Sequence, residues 1–302
     1  MTLEQINALY NFGKFQFSYG NYSGSADYLY HFRILSTDVE RTTSAHWGKL
    51  ASDILTGNWE VALEELNTLR EAIDSRASST STSTTTSTTA ADNTSTSSTA
   101  IRDPALAQLH SRTWLVHSSL FVYFNHPNGR TLLLDTFMTP AYLNTIQTAC
   151  PWILRYLAAA AVLSRKTSST QQAPGTSVSS RVRNAIRDIV KVIQTEEYQY
   201  QDPVTSFLKG LYIEFDFEAA QKALKEAVDA VVGNDFFLGE FKEEFLDNAR
   251  YLISEAYCRI HQKIDIGRVL CFHGFGEGID FLAVGIYRKG SISHQTKVKS
   301  GL

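Results

Sequence analysis

The chain has 302 residues, 43% of them hydrophobic and 12% aromatic, enough apolar matter for one long or two compact domains; disorder throughout is excluded. Its net charge of −3 and sequence pI near 6.2 give no overall pull toward nucleic acid or an anionic membrane, so any RNA contact has to be local. Three cysteines (Cys150, Cys258 and Cys271) are too sparse for the disulfide framework of a small secreted domain, which points to a reducing compartment.

The opening residues lack a basic stretch followed by an apolar run and do not read as a secretory signal, so the sequons at Asn21 and Asn93 carry no weight. Residues 1–75 read as helical repeats. Asn21, Asn58 and Asp216 are each followed by an aromatic (Tyr22, Trp59, Phe217), three further on by a small residue (Ser25, Ala62, Ala220), and four beyond that by a leucine (Leu29, Leu66, Leu224). The second helix of a hairpin asks for this pattern: a cap, an aromatic wedge, a small residue where the partner crosses closely, and a leucine one turn later. The predicted fold is therefore all-α, a solenoid of stacked helix pairs resembling tetratricopeptide repeats.

Between positions 78 and 99, 18 of 22 residues are Ser or Thr, so 76–100 is expected to be a disordered insertion. Helical repeats resume over 101–163. An apolar helix is predicted from about Leu106 to Phe124 and ends at a turn through Pro127, while Pro104, Pro140, Pro151 and Pro203 mark helix starts, with the preceding aspartate or threonine available as an N-cap. The most apolar run, 153–163, falls well short of the ~20 residues of a membrane span. Residues 164–180, with Pro174-Gly175, read as a flexible loop. Over 181–266 helices return: one carries Ile186, Ile189, Val190 and Ile193 on one side and Arg183, Arg187 and Lys191 on the other. A second carries Phe245, Ala249, Leu252, Ile253, Ala256, Tyr257 and Ile260, and runs to about His261.

No catalytic, cofactor-binding or metal-binding residue can be named from the sequence. No close carboxylate pair in an apolar setting stands out, and nucleophile-elbow, Walker A and dinucleotide-binding patterns are absent; Gly274 to Gly278 lacks the spacing of a phosphate loop. Cys258, His261, Cys271 and His273 could supply a tetrahedral zinc set, but their spacing matches no common module, and packing or capping is the favoured reading. The basic stripe reads as a solvated helix face, and Trp114, Phe121, Tyr123 and Phe124, embedded among Leu115, Val116, Leu120 and Val122, read as core.

Segments 8–35, 47–59, 112–130, 142–157, 202–221, 234–237 and 258–262 are long and rich in Trp, Tyr, His and Asn. In them the chain resembles the e subunit family of the eukaryotic translation initiation factor three complex, from about Ile6 to Ile266, and the Ser/Thr insertions fit a fungal version. The resemblance implies a helical-repeat arm leading into a PCI winged helix, the plan shared with proteasome-lid and signalosome subunits. It further implies a non-catalytic scaffold without cofactor, membrane or small-molecule substrate, whose partners are the other subunits of the factor and, through them, the small ribosomal subunit and mRNA. A PCI subunit of a lid or signalosome type complex, or an RNA-binding module, is the alternative. Against the family's pattern, the chain opens inside the arm, and the winged helix expected after Ile266 gives way to a tail, 267–302, holding seven of the 17 glycines; the tail reads as a gene-model artefact such as a read-through intron.

Overall fold

A computed structural model describes residues 2–81, 104–170 and 177–261. Among these, every regular element is helical: α1 (Leu3–Tyr19), α2 (Tyr22–Leu35), α3 (Val39–Thr56), α4 (Trp59–Ser81), α5 (Pro104–Asn125), α6 (Gly129–Phe137), α7 (Pro140–Ala149), α8 (Ile153–Thr170), α9 (Ser177–Thr195), α10 (Pro203–Lys209), α11 (Phe217–Glu226) and α12 (Lys242–Ile260). A π-turn continues α10 over Gly210–Glu214, another continues α11 over Ala227–Val232, and a 3-10 turn, Gly239–Phe241, leads into α12. The all-α class is thus as the sequence implies. Consecutive helices from α1 to α5 pack as neighbours; beyond them α8 becomes the hub, touching α6, α9, α10 and α12.

The repeat places its residues where the pattern demands. Asn21 and Asp216 cap α2 and α11, accepting from Gly24 N–H and from Glu218 and Ala219 N–H, and Asn58 immediately precedes α4. Ser25, Ala62 and Ala220 are fully buried, and Leu29, Leu66 and Leu224 nearly so. Ser25 Oγ donates to the Gly13 carbonyl at 3.0 Å, which is how closely α1 crosses α2.

The junctions ahead of these caps share a second feature. Gly20 and Gly57 are left-handed, with φ of 89° and 76°, and each ends its helix as the next residue's N–H reaches back five positions: Asn21 to Gln16 and Asn58 to Asp53, both at 3.0 Å. At the third junction Phe215 takes the left-handed position, at φ 55°, and Asp216 N–H reaches Gly210 across the extra residue of the π-turn. Gly57→Ala places a Cβ in this region, so folding stability should fall by about 1 kcal/mol, read as a lower urea midpoint at unchanged slope.

Prolines 104, 140 and 203 open α5, α7 and α10, whereas Pro151 lies in the turn two residues ahead of α8. Asp202 caps α10 by accepting from Val204 N–H, but the Thr139 hydroxyl does not cap α7; it donates to the Thr136 carbonyl at 2.7 Å. Helices reach further into the two low-complexity segments than their composition implies: α4 runs to Ser81, α8 to Thr170, and α9 begins at Ser177. Extending an existing helix by a residue costs far less than nucleating one, so a packed helix propagates into sequence that would not start one. The remainder of both segments and the 267–302 tail lie outside the described residues.

The core follows the same logic. Ile153, Leu154 and every residue from 157 to 163 are at most 1% exposed, as a helix apolar on all sides requires. No helix among the described residues is long and apolar enough to cross a membrane. Around α8 the main core gathers Phe137, Phe207, Phe245 and Leu252; a separate small cluster joins Leu29, Phe32 and Ala45 to Ile6, Leu9 and Tyr10 at the α1 end.

Candidate docking surfaces

Among the described residues, α1 is packed on one side only. Its Ile6, Leu9 and Tyr10 meet α2 and α3, with Tyr10 Oη and Ser44 Oγ at 2.7 Å, while Phe12, Phe15 and Tyr19 form an outward ladder. Consecutive rings of the ladder lie 6.3 and 6.0 Å apart, and Phe12 sets its edge against Tyr28 at 4.9 Å. Exposure rises along it, from 43% at Phe12 to 58% at Phe15 and 80% at Tyr19, where a lone soluble helix would carry polar side chains. The spacing of three and four residues is visible in the sequence, but it describes a helix face without saying whether anything covers it.

A second aromatic surface runs along α5, and here the expectation of core fails for two residues. Tyr123 and Phe124 are buried, but Trp114 is 65% exposed and Phe121 lies at the surface. Seven residues apart, they share the face opposite Leu115, Val116 and Leu120, so apolar neighbours in sequence are not their neighbours in space. Between them, His117 Nε2 accepts from Trp152 Nε1 at 3.1 Å, and Phe121 meets Phe236 and Phe237 edge-on at 6.0 and 4.9 Å.

Polar networks tie the helices beneath these surfaces. Arg155 of α8 reaches Asp202 at 2.7 Å and Asp235 at 3.5 Å, and Tyr156 Oη donates to Asp235 at 3.0 Å. Arg165 grips Glu255, and Arg130 grips Glu244 while lying 4.5 Å from the Phe241 ring centroid. Between α2, α3 and α4 a further network gathers Arg33, His46, Lys49, Asp53 and Glu65, bringing together two carboxylates that the sequence did not pair. Burial pushes the Asp53 carboxyl up against the pull of Lys49. Burial also acts to raise Glu65, but hydrogen bonds from His46 and Arg33 outweigh it and hold Glu65 below the usual range. Opposed shifts can mark an acid and a base, yet both carboxylates here are engaged by cations, Asp53 by Lys49 of its own helix and Glu65 by Arg33 and Lys49 across helices.

Arg183, Arg187 and Lys191 lie exposed on α9 with Ile186, Ile189, Val190 and Ile193 buried behind them, and Lys191 pairs with Asp188. Cys258 is half-buried in the last turn of α12, and the His261 ring packs on Tyr257 at 4.3 Å and Phe217 at 6.0 Å; Cys271 and His273 lie outside the described residues. Burial raises both described thiols, Cys150 to about 11, keeping them protonated at neutral pH. Among the described residues no group of three or more His, Cys, Asp or Glu side chains is arranged to hold a metal ion.

No family model matches the chain. Curated proteins named as the e subunit of eukaryotic translation initiation factor 3 do. That of Botryotinia fuckeliana is 47% identical over 267 residues, covering 88% of this chain and 52% of the relative. Those of Mycosarcoma maydis and Emericella nidulans are 49% and 45% identical, each over 88% of this chain and 51% and 52% of their own lengths. The chain therefore spans about half the length of the curated relatives it matches.

Proposed function

We propose that the chain, 47% and 49% identical to two e subunits of eukaryotic translation initiation factor 3 over 88% of its own residues, is a member of that family and a non-catalytic scaffold component of that complex. It acts through protein contacts in assembling the small-subunit pre-initiation complex in the cytoplasm, meeting the small ribosomal subunit and mRNA through its fellow subunits. No residue is given a catalytic, cofactor or metal role. In this reading the helical repeats form an arm, and the helices from about 181 onward belong to the PCI region.

The observation that carries the reading, beyond the relatedness, is the pair of aromatic surfaces raised on the helical frame. Phe12, Phe15 and Tyr19 on α1, and Trp114 with Phe236 beside α5, offer the large rigid side chains that dominate protein interfaces. Affinity capture of the tagged chain followed by mass spectrometry should recover other subunits of initiation factor 3. The double variant Phe15→Glu/Tyr19→Glu should lower that recovery by about tenfold or more while leaving the melting temperature unchanged, because both rings already face water. A chain that enriches no initiation factor subunit, or instead enriches proteasome-lid or signalosome subunits, overturns the proposal.

A further inference from the structure

The two apolar clusters of the fold meet across hydrocarbon along α3 and across charge between α2 and α4. Leu29, Phe32 and Ala45 close the small cluster among α1, α2 and α3; α4 belongs to the main core through Ala62, Leu66, Leu69 and Ile73. Apolar continuity between the two runs along α3 alone, where Leu50 is buried and Trp47 and Ile54 are partly so. Beside this apolar contact, α2 reaches α4 through an ion pair, and α3 adds charged contacts of its own. Glu65 of α4, 4% exposed, accepts from Arg33 of α2 at 2.7 and 2.8 Å and from His46 of α3, and stands 3.7 Å from Lys49 Nζ, itself bound to Asp53 at 2.6 Å. Glu65 thus gathers cations from two other helices onto α4. A cleft of about 360 Å³ opens on the same seam between α2, α3 and α4, so water reaches one side of the network.

We propose that this network is a charge-gated hinge, at which α1, α2 and α3 open away from α4 as one unit when Glu65 loses its charge. A buried ion pair adds little over a well-packed apolar contact, but removing the charge of one partner strands the others in a poorly solvated place. Neutral Glu65 leaves Arg33 and Lys49 facing a carboxylic acid, and opening the seam returns both cations to water. α1 to α3 remain joined to each other in the open form, because the small apolar cluster lies wholly within them.

The charged and titratable groups around Glu65 set the direction in pH. On α2 these are Arg33 and Asp27, on α3 His46, Lys49 and Asp53, and on α4 Glu64 at the cleft. Glu65 is held below its ordinary 4.5, so its stabilisation of the closed form is complete above that value and is lost as pH falls through the lower folded value. Asp53 is raised, so its protonation favours the folded form as pH falls; but it binds only Lys49 of its own helix and does not join α3 to α4.

Hydrogen exchange on the full chain tests the hinge, with protection corrected for the intrinsic pH dependence of exchange. Between about pH 7 and about pH 3, protection in α1, α2 and α3 should fall by about a hundredfold before that of α8 and α12 begins to fall. Glu65→Gln should produce the same selective loss at neutral pH, and Arg33→Met should do so more weakly, since His46 and Lys49 remain to hold Glu65. Loss of protection in step across α1 to α12 on acidification of the unaltered chain overturns the proposal. So does a Glu65→Gln chain whose α1 to α3 exchange as before, or one whose protection collapses everywhere at once.

Discussion

Arg155→Met should destabilise the fold by about 3–5 kcal/mol, one of the largest losses available from a single charged-to-apolar exchange in this chain. Arg155 lies where α8, the cap of α10 and the turn before α12 converge, with Asp202 and Asp235 only 5% and 6% exposed respectively in residue and side chain. Methionine matches the aliphatic stem but leaves both carboxylates without their cation. Asp202 keeps the Val204 amide and Asp235 keeps the amides of Phe237 and Leu238, so the caps survive while the two charges lose their shared counter-ion. Guanidinium titration followed by circular dichroism measures the loss. A change under about 1 kcal/mol would mean that water already screens the site, as it does for surface pairs. The triple variant adding Asp202→Asn and Asp235→Asn should recover part of the stability, because it removes the stranded charges along with their partner.

Gly129→Ala should cost about 3 kcal/mol or more, beyond the ordinary range for adding a methyl group. A Cβ at this position would stand 2.0 Å from the Tyr123 carbonyl oxygen and 2.7 Å from Tyr123 Cα, and backbone cannot swing aside as a side-chain tip can. The close approach arises because α6 starts immediately beneath the end of α5, with Gly129 N–H donating to the His126 carbonyl at 2.9 Å. Relief requires α5 and α6 to part, which also disturbs the Tyr123 Oη to Thr136 Oγ1 hydrogen bond and the Phe137 contact on the same ring. Thermal unfolding should show a clearly lower midpoint for Gly129→Ala, whereas Gly57→Ala, strained but unobstructed, should show a small shift. Equal shifts for the two would contradict the assignment of a backbone clash at Gly129.

The amino-acid sequence alone determined the helical class, the phase of the repeat, the starts of α5, α7 and α10, and the buried face of α9, because caps, proline positions and 3.6-residue periodicity act within one or two turns of chain. Long runs of Trp, Tyr, His and Asn likewise sufficed for the family resemblance. Only the tertiary structure decided which aromatic faces stay uncovered. Trp114 and Phe121 carry the local surroundings of core residues, yet Trp114 is 65% exposed and Phe121 packs on the Phe236–Phe237 turn at the surface instead of entering the core. It also decided that Arg33 meets Glu65 across 32 residues and that Arg155 meets Asp202 and Asp235 across 47 and 80. Such meetings depend on the rotation and crossing distance of helices packed against each other, quantities that no local spacing encodes. The aromatic faces and the ionic seam are therefore products of helix stacking.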